Sequence, residues 1–218
     1  PLSVPAAPAS GLSVSQWCPP TGAKDGVGCV TQAIESQWAL LRDKTRPPAD
    51  RATALRYIIH LVGDTHQPLH DADNNDHGGN CTAMKFLNED RPTNLHSVWD
   101  SKLIQHDMAE HKLDQAGYTS LLTTEFAKRR KKWLKEKINP ELWAWQGHTI
   151  AVKTTYGLIS PAIPVETPGP DACDAERAKV TALKIALGDD YFNRSMPAVR
   201  EQLAHSAARL AGLLNHSF

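Results

Sequence analysis

The feature that most constrains the fold is a segment of helical periodicity, residues 50–65, in which a histidine and an aspartate stand four positions apart. Good helix formers fill most of the segment. The apolar stripe expected to face inward comprises Leu55, Ile58, Ile59 and Val62. Asp50 stands where it can cap the helix, and Pro68 ends it. His60 and Asp64 therefore leave one helix face, about 6 Å apart along the axis.

A second pair with the same spacing, His96 and Asp100, lies further along the chain. Further polar candidates between the two pairs are His70, Asp73, Asp76 and His77. Imidazole and carboxylate groups suit zinc. A buried network of His–Asp hydrogen bonds is the alternative, and a single pair of this kind is also a common surface feature. Apolar neighbours surround both pairs, so burial would be costly unless the polar groups are paired or bind metal. We therefore predict a zinc centre.

The order and spacing of these residues resemble the signature of a known family. The run His60-x-x-Gly-Asp64-x-His-Gln-Pro-Leu-His70 is followed by Gly78-Gly79-Asn80 and by Asn94-Leu95-His96-x-x-Trp99-Asp100. This pattern resembles that of the secreted zinc-dependent nucleases, which comprise fungal single-strand nucleases, plant bifunctional nucleases and bacterial relatives. The similarity extends from about Cys29 to Asn215.

This resemblance implies an all-α, multi-helix fold of the zinc-dependent phospholipase C and nuclease type, with residues 1–218 as one nuclease domain. It also implies three zinc ions, two of them close together and one apart. His60 and Asp64 match ligands of the paired zincs, and Asp64 bridges them and is the predicted catalytic residue.

The same resemblance assigns a complete protein ligand set to the separate zinc. His70, His96 and Asp100 match that set, and three protein ligands plus water are typical of a catalytic zinc. Gly79 and Asn80 are the predicted substrate-binding residues, although Asn80 is also explained by the turn in which it stands.

The implied activity is hydrolysis of RNA and single-stranded DNA to 5′-phosphorylated products, together with removal of phosphate from 3′-nucleotides. Zinc ions activate water and neutralise charge on the phosphoryl oxygens in such reactions. The implied partners are nucleic acid or nucleotides, and a monomer is expected. No apolar run reaches transmembrane length, so no membrane partner is predicted. A zinc phospholipase C is the enzymatic alternative. The other alternative is a secreted, non-catalytic remnant that binds zinc or nucleotides.

In the family, the paired zincs also take ligands from the far N-terminal part, namely an amino-terminal Trp, an early His, and a further Asp and His. Residues 1–56 contain no histidine, and residue 1 is Pro. We therefore expect the chain to match the later three quarters of a family member, with the upstream ligands lost or supplied from outside this sequence. The chain also has Gln146 and Gly147 where the family commonly has a Glu-Ser pair.

Charge and cysteine usage restrict the remaining possibilities. Lysine plus arginine equals aspartate plus glutamate at 24 each, so no global basic field is available to hold a polyanion. The basic run at residues 128–132 is interpreted as a solvated helix face. Four cysteines without metal or redox spacing predict two disulfides and a secreted or periplasmic protein. Of the three possible pairings, Cys18–Cys29 with Cys81–Cys173 is favoured.

The rest of the chain reads as further helices and connectors. Helices are predicted over residues 29–44, 94–106, 119–138, 140–156, 174–187 and 196–214. Residues 1–28 and 157–170 are rich in proline or glycine and are predicted to be irregular. Residues 71–91 are predicted to be a loop, with a two-stranded flap near Met84 as the alternative. Trp99 is interpreted as a packing residue rather than a base-stacking one.

Overall fold

A computed structural model of the chain describes residues 2–3, 28–74, 76–163, 181 and 183–218. The α-helices within these ranges are α1 Val30–Arg42, α2 Pro48–Asp64, α3 Leu95–Ser97, α4 Leu103–Glu110, α5 Gln115–Glu125, α6 Ala127–Trp133, α7 Pro140–Ile150 and α8 Asp189–Asn215. A π-helical segment, Val98–Lys102, joins α3 to α4, and a second, Ala151–Thr155, extends α7. The predicted all-α, multi-helix architecture is confirmed. None of the described helices is long and apolar enough to cross a bilayer.

Short strands accompany the helices. They are β1 Leu2–Ser3, β2 Ala72–Asp73, β3 Ala83–Phe86, β4 Thr93–Asn94 and β5 Ala186–Leu187. β3 pairs antiparallel with β4 and parallel with β5, while β1 pairs parallel with β2.

Two sequence predictions fail at this small sheet. The loop predicted over residues 71–91 is wrong at β3, where Met84 and Phe86 alternate inward into the core. The helix predicted over residues 174–187 is wrong at β5, and residues 174–180 lie outside the described residues. Pairing between β3 and β5 decides both outcomes, because a short segment adopts the strand conformation when a partner satisfies its backbone groups.

The helices α1, α2, α7 and α8 share one core. Its fully buried members include Ile34, Leu41, Ile58, Val62, Trp143 and Leu213. The predicted inward face of α2 is confirmed for Ile58 and Val62 but is wrong for Ile59, which is 50% exposed. Pro48 is the first residue of α2, a position where the missing N–H of proline costs nothing. Asp50 therefore lies in the first turn and is not the cap.

A second core lies between the sheet, the α3–α4 run and the start of α8. Trp99 is 3% exposed there, and its indole N–H donates to the hydroxyl of Tyr191 at 2.8 Å. The packing interpretation of Trp99 is thus confirmed. Tyr191 also donates to the carbonyl of Thr155, so it ties the two π segments to α8.

The basic run belongs to α6, which is separate from α5. The single helix predicted over residues 119–138 is wrong, because the chain breaks at Phe126, whose backbone leaves helical geometry. Residues 128–132 are all exposed, as the solvated-face interpretation predicts. Arg129 pairs with Glu201 and stacks on the ring of Trp133 at 4.8 Å.

The cysteine predictions are only partly covered by the described residues. Cys29 and Cys81 are described, and neither is a free thiol. Cys18 and Cys173 lie outside the described residues, so their pairing stays a prediction. The same holds for most of the two segments predicted to be irregular, residues 1–28 and 157–170.

Candidate metal centre

The centre begins where α2 ends and the chain turns sharply. Asp64 is the last residue of α2, and a 3-10 turn over Pro68–His70 follows. The side-chain oxygen of Gln67 accepts the N–H of Leu69 at 2.6 Å and so caps this turn. The amide nitrogen of Gln67 donates to Asp100 at 2.7 Å. One side chain therefore fixes both the turn that carries His70 and the carboxylate that His70 faces.

Three of the predicted ligands come together in one group, His70, His96 and Asp100, whose ligand atoms all lie within 4.8 Å of one another. Nε2 of His70 is 3.4 Å from one oxygen of Asp100, and Nε2 of His96 is 3.3 Å from the other. The two imidazole rings stack at 5.0 Å between centroids. The two nitrogen–oxygen distances to Asp100 exceed the usual hydrogen-bond range of about 2.7–3.2 Å. They match the edge, about 3.3 Å, of a tetrahedron with zinc bonds of about 2.0–2.1 Å.

Backbone geometry fixes the ring of His96. Its Nδ1 lies 2.8 Å from the carbonyl of Gly78, which leaves Nε2 to face Asp100. Gly78 has a φ of +62°, and a Cβ there would approach the carbonyl oxygen of Leu69 to 2.6 Å. Glycine is required at this position, and without it the carbonyl that orients His96 would be displaced.

The electrostatics of the group suit a cation. The neighbouring Asp100 carboxylate raises the pKa of His96 against the opposing effect of burial. Burial raises the pKa of Asp100, but the neighbouring imidazoles of His70 and His96 and the hydrogen bond from Gln67 together bring it well below its usual range. Asp100 is therefore an anion at neutral pH. Nε2 of His70 is buried and has no hydrogen-bond partner among the described residues, so this nitrogen is available to coordinate a metal ion.

The other predicted pair is arranged differently. His60 and Asp64 meet at 3.1 Å on one face of α2, as their spacing predicts, but the His60 side chain is 71% exposed. Asp64 lies 3.8 Å from Nδ1 of His70 and so connects the pair to the three-ligand group. Within the described residues the only group of three ligands is that of His70, and His60 lies outside it.

The predicted substrate-binding residues lie in the turn beside His96. Gly79 is buried, has a φ of +82°, and its carbonyl accepts the N–H of His96. Asn80 is exposed and its amide donates to the carbonyl of His77. Both contacts serve the turn, and neither residue lines the cleft described below. Their role in substrate binding stays a prediction.

A cleft of about 220 Å³ opens beside His70 and Asp100. Asp64, His70 and Asp100 line one side of it. Residues of α8 line the opposite side, including Val199, Gln202, Leu203 and Ser206. Sequence reasoning missed this wall, because α8 carries no local motif and is brought to the cleft only by packing. It also missed Gln67, although the quoted signature contains that residue.

A buried network supports the floor of the cleft. Arg209 donates to Nε2 of His66 at 2.9 Å and to the side-chain oxygen of Gln146 at 2.6 Å. Burial, aided by the charge of Arg209, lowers the pKa of His66 to about 3, so the imidazole is neutral. Gln146, one of the two departures from the family pattern, is therefore a partner of a buried arginine.

The other departure, Gly147, makes room for a carboxylate. A Cβ at Gly147 would lie 2.0 Å from an oxygen of Asp71. Asp71 is fully buried, and burial raises its pKa well above the usual range. Gly147 is thus sterically coupled to Asp71, the residue that follows His70 in the sequence.

Comparisons with known proteins point to one family of nucleases. The family model described as S1/P1 Nuclease matches residues 9–218. Endonuclease 3 of Arabidopsis thaliana is 32% identical over 168 residues, which cover 76% of this chain and 51% of that protein. Endonuclease 2 of the same plant is 29% identical over 175 residues, with the same coverage. Nuclease S1 of Aspergillus oryzae is 26% identical over 200 residues, covering 86% of this chain and 62% of that protein. The chain spans about half the length of the plant relatives.

Proposed function

Because the chain belongs to the S1/P1 nuclease family, we propose that it carries a zinc-binding centre of a nuclease that hydrolyses RNA and single-stranded DNA to 5′-phosphorylated products. Removal of phosphate from 3′-nucleotides is the second reaction of the same centre. The observation that supports this most strongly is the group of His70, His96 and Asp100, of which His70 and Asp100 line an open cleft. The nuclease names of the relatives favour this over a phospholipase C.

Each residue has a defined task in this proposal. His70 and His96 offer imidazole nitrogens and Asp100 a carboxylate, which together would hold one zinc ion. When bound, zinc supplies positive charge for the phosphoryl oxygens and acidifies a water molecule. Gln67 holds Asp100 in place, and Asp64 reaches from this group toward His60, where the paired zincs of the family would be held.

The wider properties of the protein follow from the same family. We propose three zinc ions in the complete centre, with Asp64 as the bridging and catalytic ligand. Residues 1–218 form one domain that acts as a monomer on nucleic acid, in a secreted or periplasmic location. The disulfides Cys18–Cys29 and Cys81–Cys173 are part of this proposal. They would be stable in such an oxidising compartment.

The test is metal-dependent hydrolysis by the purified protein. Homopolymeric RNA and single-stranded DNA are incubated with the protein after chelation and again after zinc is restored, and the product ends are analysed for 5′-phosphate. We expect activity only with zinc and its loss in Asp100→Asn. Asp90→Asn is the matched control, because Asp90 is exposed and lies away from the cleft. Equal activity of both variants would contradict the assignment.

One observation favours a second candidate function. Within the described residues a single three-ligand group is complete, and the exposed His60 lies outside it. A chain that holds only this zinc would bind a phosphate group without hydrolysing it efficiently. Zinc-dependent binding of a mononucleotide, without turnover of RNA or single-stranded DNA, would identify this function.

A further inference from the structure

A second and larger cavity lies between α4, α5, α6 and α8, with a volume of about 840 Å³. Small-molecule sites commonly span roughly 300–1,000 Å³. One wall is formed by large apolar side chains, Leu122, Phe126 and Leu134, and the α8 wall by the small side chains of Ala204, Ala207 and Ala211. The small residues on α8 leave the space, and the large residues opposite make it apolar.

Apart from Tyr118, the polar residues that line the cavity are exposed and lie at its rim, and they include the amides of Gln115 and Asn215. Among the described residues that line it, Arg130 is the only charged one. Its side chain is exposed and forms no ion pair within the described part of the chain, whereas its neighbour Arg129 is paired with Glu201. Thr119 and Thr123 are exposed on α5 beside the same opening. A ligand with one anionic end would therefore find a free cation at the entrance.

The interior offers little to a polar ligand. The hydroxyl of Tyr118, which also lines the cavity, is already committed to Asp107 at 2.5 Å. A nucleobase placed inside would give up hydrogen bonds to water without replacement, which costs free energy. A methylene chain has no such groups to satisfy and gains from leaving water.

We propose that this cavity binds a single alkyl chain that carries an anionic head group, with the chain against Leu122 and Phe126 and the head group beside Arg130. A free fatty acid and a single-chain phosphate lipid share this chemistry. The metal ligands do not line this cavity, although Ile104 and Leu203 line both it and the metal cleft. The proposal therefore does not depend on the nuclease function, and binding needs no metal.

The chain-length dependence of binding tests the apolar part. Octanoate, decanoate and dodecanoate are titrated into the purified, chelator-treated protein below their micellar concentrations. We expect affinity to rise about tenfold with each pair of added methylenes. Affinity that is independent of chain length would overturn the proposal. So would binding of mononucleotides in place of the carboxylates, which would identify a base-binding site.

Three ligands that share a dodecyl chain and differ in head group test the role of the anionic end. Dodecanoate and dodecyl phosphate represent the fatty acid and the lipid phosphate, and dodecylphosphocholine carries no net charge. We expect Arg130→Gln to weaken the two anions about fivefold and to leave dodecylphosphocholine unchanged. Lys132→Gln is the matched control, because it removes an exposed cation of α6 that does not line the cavity. Equal losses of affinity in the two variants would show that Arg130 does not contact the head group.

Variants that fill the cavity test whether the ligand binds there. Ala207→Trp places a large side chain in the cavity, and Ala211→Trp places one a turn further along α8. Either variant tests the proposal if the other does not fold. We expect at least a tenfold loss of dodecanoate affinity in either. Ala127→Trp, outside the lining, is the control and should bind like the unaltered protein. Circular dichroism verifies the fold of each variant. Unchanged affinity in a folded cavity variant would place the ligand elsewhere.

Discussion

Two aspartates seven positions apart in the α3–α4 run have opposite surroundings. Asp107 has a side chain that is 1% exposed, and it accepts two hydrogen bonds from Arg200, at 2.6 and 2.8 Å, and one from Tyr118 at 2.5 Å. Asp100 is 42% exposed. Within the described part of the chain it accepts one short hydrogen bond, from Gln67.

The remaining neighbours of Asp100 are two imidazoles held at 3.3–3.4 Å, too far for good hydrogen bonds and close enough to share an ion. A polar cluster whose groups are fully satisfied stabilises a fold, whereas a cluster that holds donors apart around an open space is arranged for a ligand. We therefore assign Asp107 to stability and Asp100 to metal binding. The following experiments challenge that division.

The largest expected effect is on activity in Asp100→Asn. The variant loses a charged ligand, so we expect hydrolysis of RNA to fall at least about 100-fold. The free energy of unfolding without zinc should stay within about 0.5 kcal/mol of the original value, because Asp100 faces solvent. Urea unfolding and an RNA assay measure the two effects. A large loss of stability with retained activity would reverse the division.

Asp107→Asn should show the opposite behaviour. It removes the hydrogen-bonded carboxylate from Arg200, which is mostly buried and keeps only the more distant Glu125 at 3.8 Å among the described residues. We therefore expect a loss of about 2–3 kcal/mol in the free energy of unfolding. Zinc content and activity of the folded variant should remain as before. Urea denaturation monitored by tryptophan fluorescence provides the measurement. A loss below about 0.5 kcal/mol would show that the pair does not stabilise the fold.

Gln67→Leu sharpens the comparison, because it removes the only short hydrogen bond to Asp100 from any described residue. We expect zinc affinity to fall about tenfold without loss of a binding equivalent, since a positioning contact is lost and no ligand is removed. Competition with a chromophoric chelator measures the affinity. Loss of a full equivalent would make Gln67 part of the ligand set itself, and unchanged affinity would mean that Asp100 needs no support.

The smallest effect is the pH dependence of the Asp107 contact. Burial raises the pKa of Asp107, but hydrogen bonds from Arg200 and Tyr118 lower it by more than burial raises it. The folded-state pKa therefore lies below the ordinary value. The contribution of this contact to the free energy of unfolding is complete above about pH 4. It disappears as the pH falls through the folded-state pKa, because Asp107 of the unfolded chain binds its proton at a higher pH. Stability of the original protein should therefore fall more steeply below about pH 4 than that of Asp107→Asn. Parallel slopes would contradict this.

The sequence predicts the parts of this division that depend on local spacing. His60 with Asp64, and His96 with Asp100, each stand four apart in a helical segment, and both pairs meet at 3.1–3.3 Å. The juxtaposition of His70 with His96 depends on the turn after α2 and on the carbonyl of Gly78. Only the family resemblance predicted it, because periodicity within one helix says nothing about a neighbouring segment.

Long-range contacts explain the predictions that failed. β3 is a strand because β5 pairs with it, about 100 residues later in the sequence. The predicted start of the last helix at Met196 agrees with the preference of proline for the first turn, yet α8 begins at Asp189 and continues through Pro197. The packing of Tyr191 and Phe192 in the core favours this longer helix. Neither contact leaves a local signal.

Zinc stoichiometry tests the central claim most directly. The original protein, His96→Ala and Asp107→Asn are dialysed against the same zinc buffer, and bound metal is measured by atomic emission. We predict that His96→Ala holds one equivalent less than the original protein and that Asp107→Asn holds the same number. Unchanged stoichiometry in His96→Ala would contradict the assignment of His70, His96 and Asp100 as a zinc site.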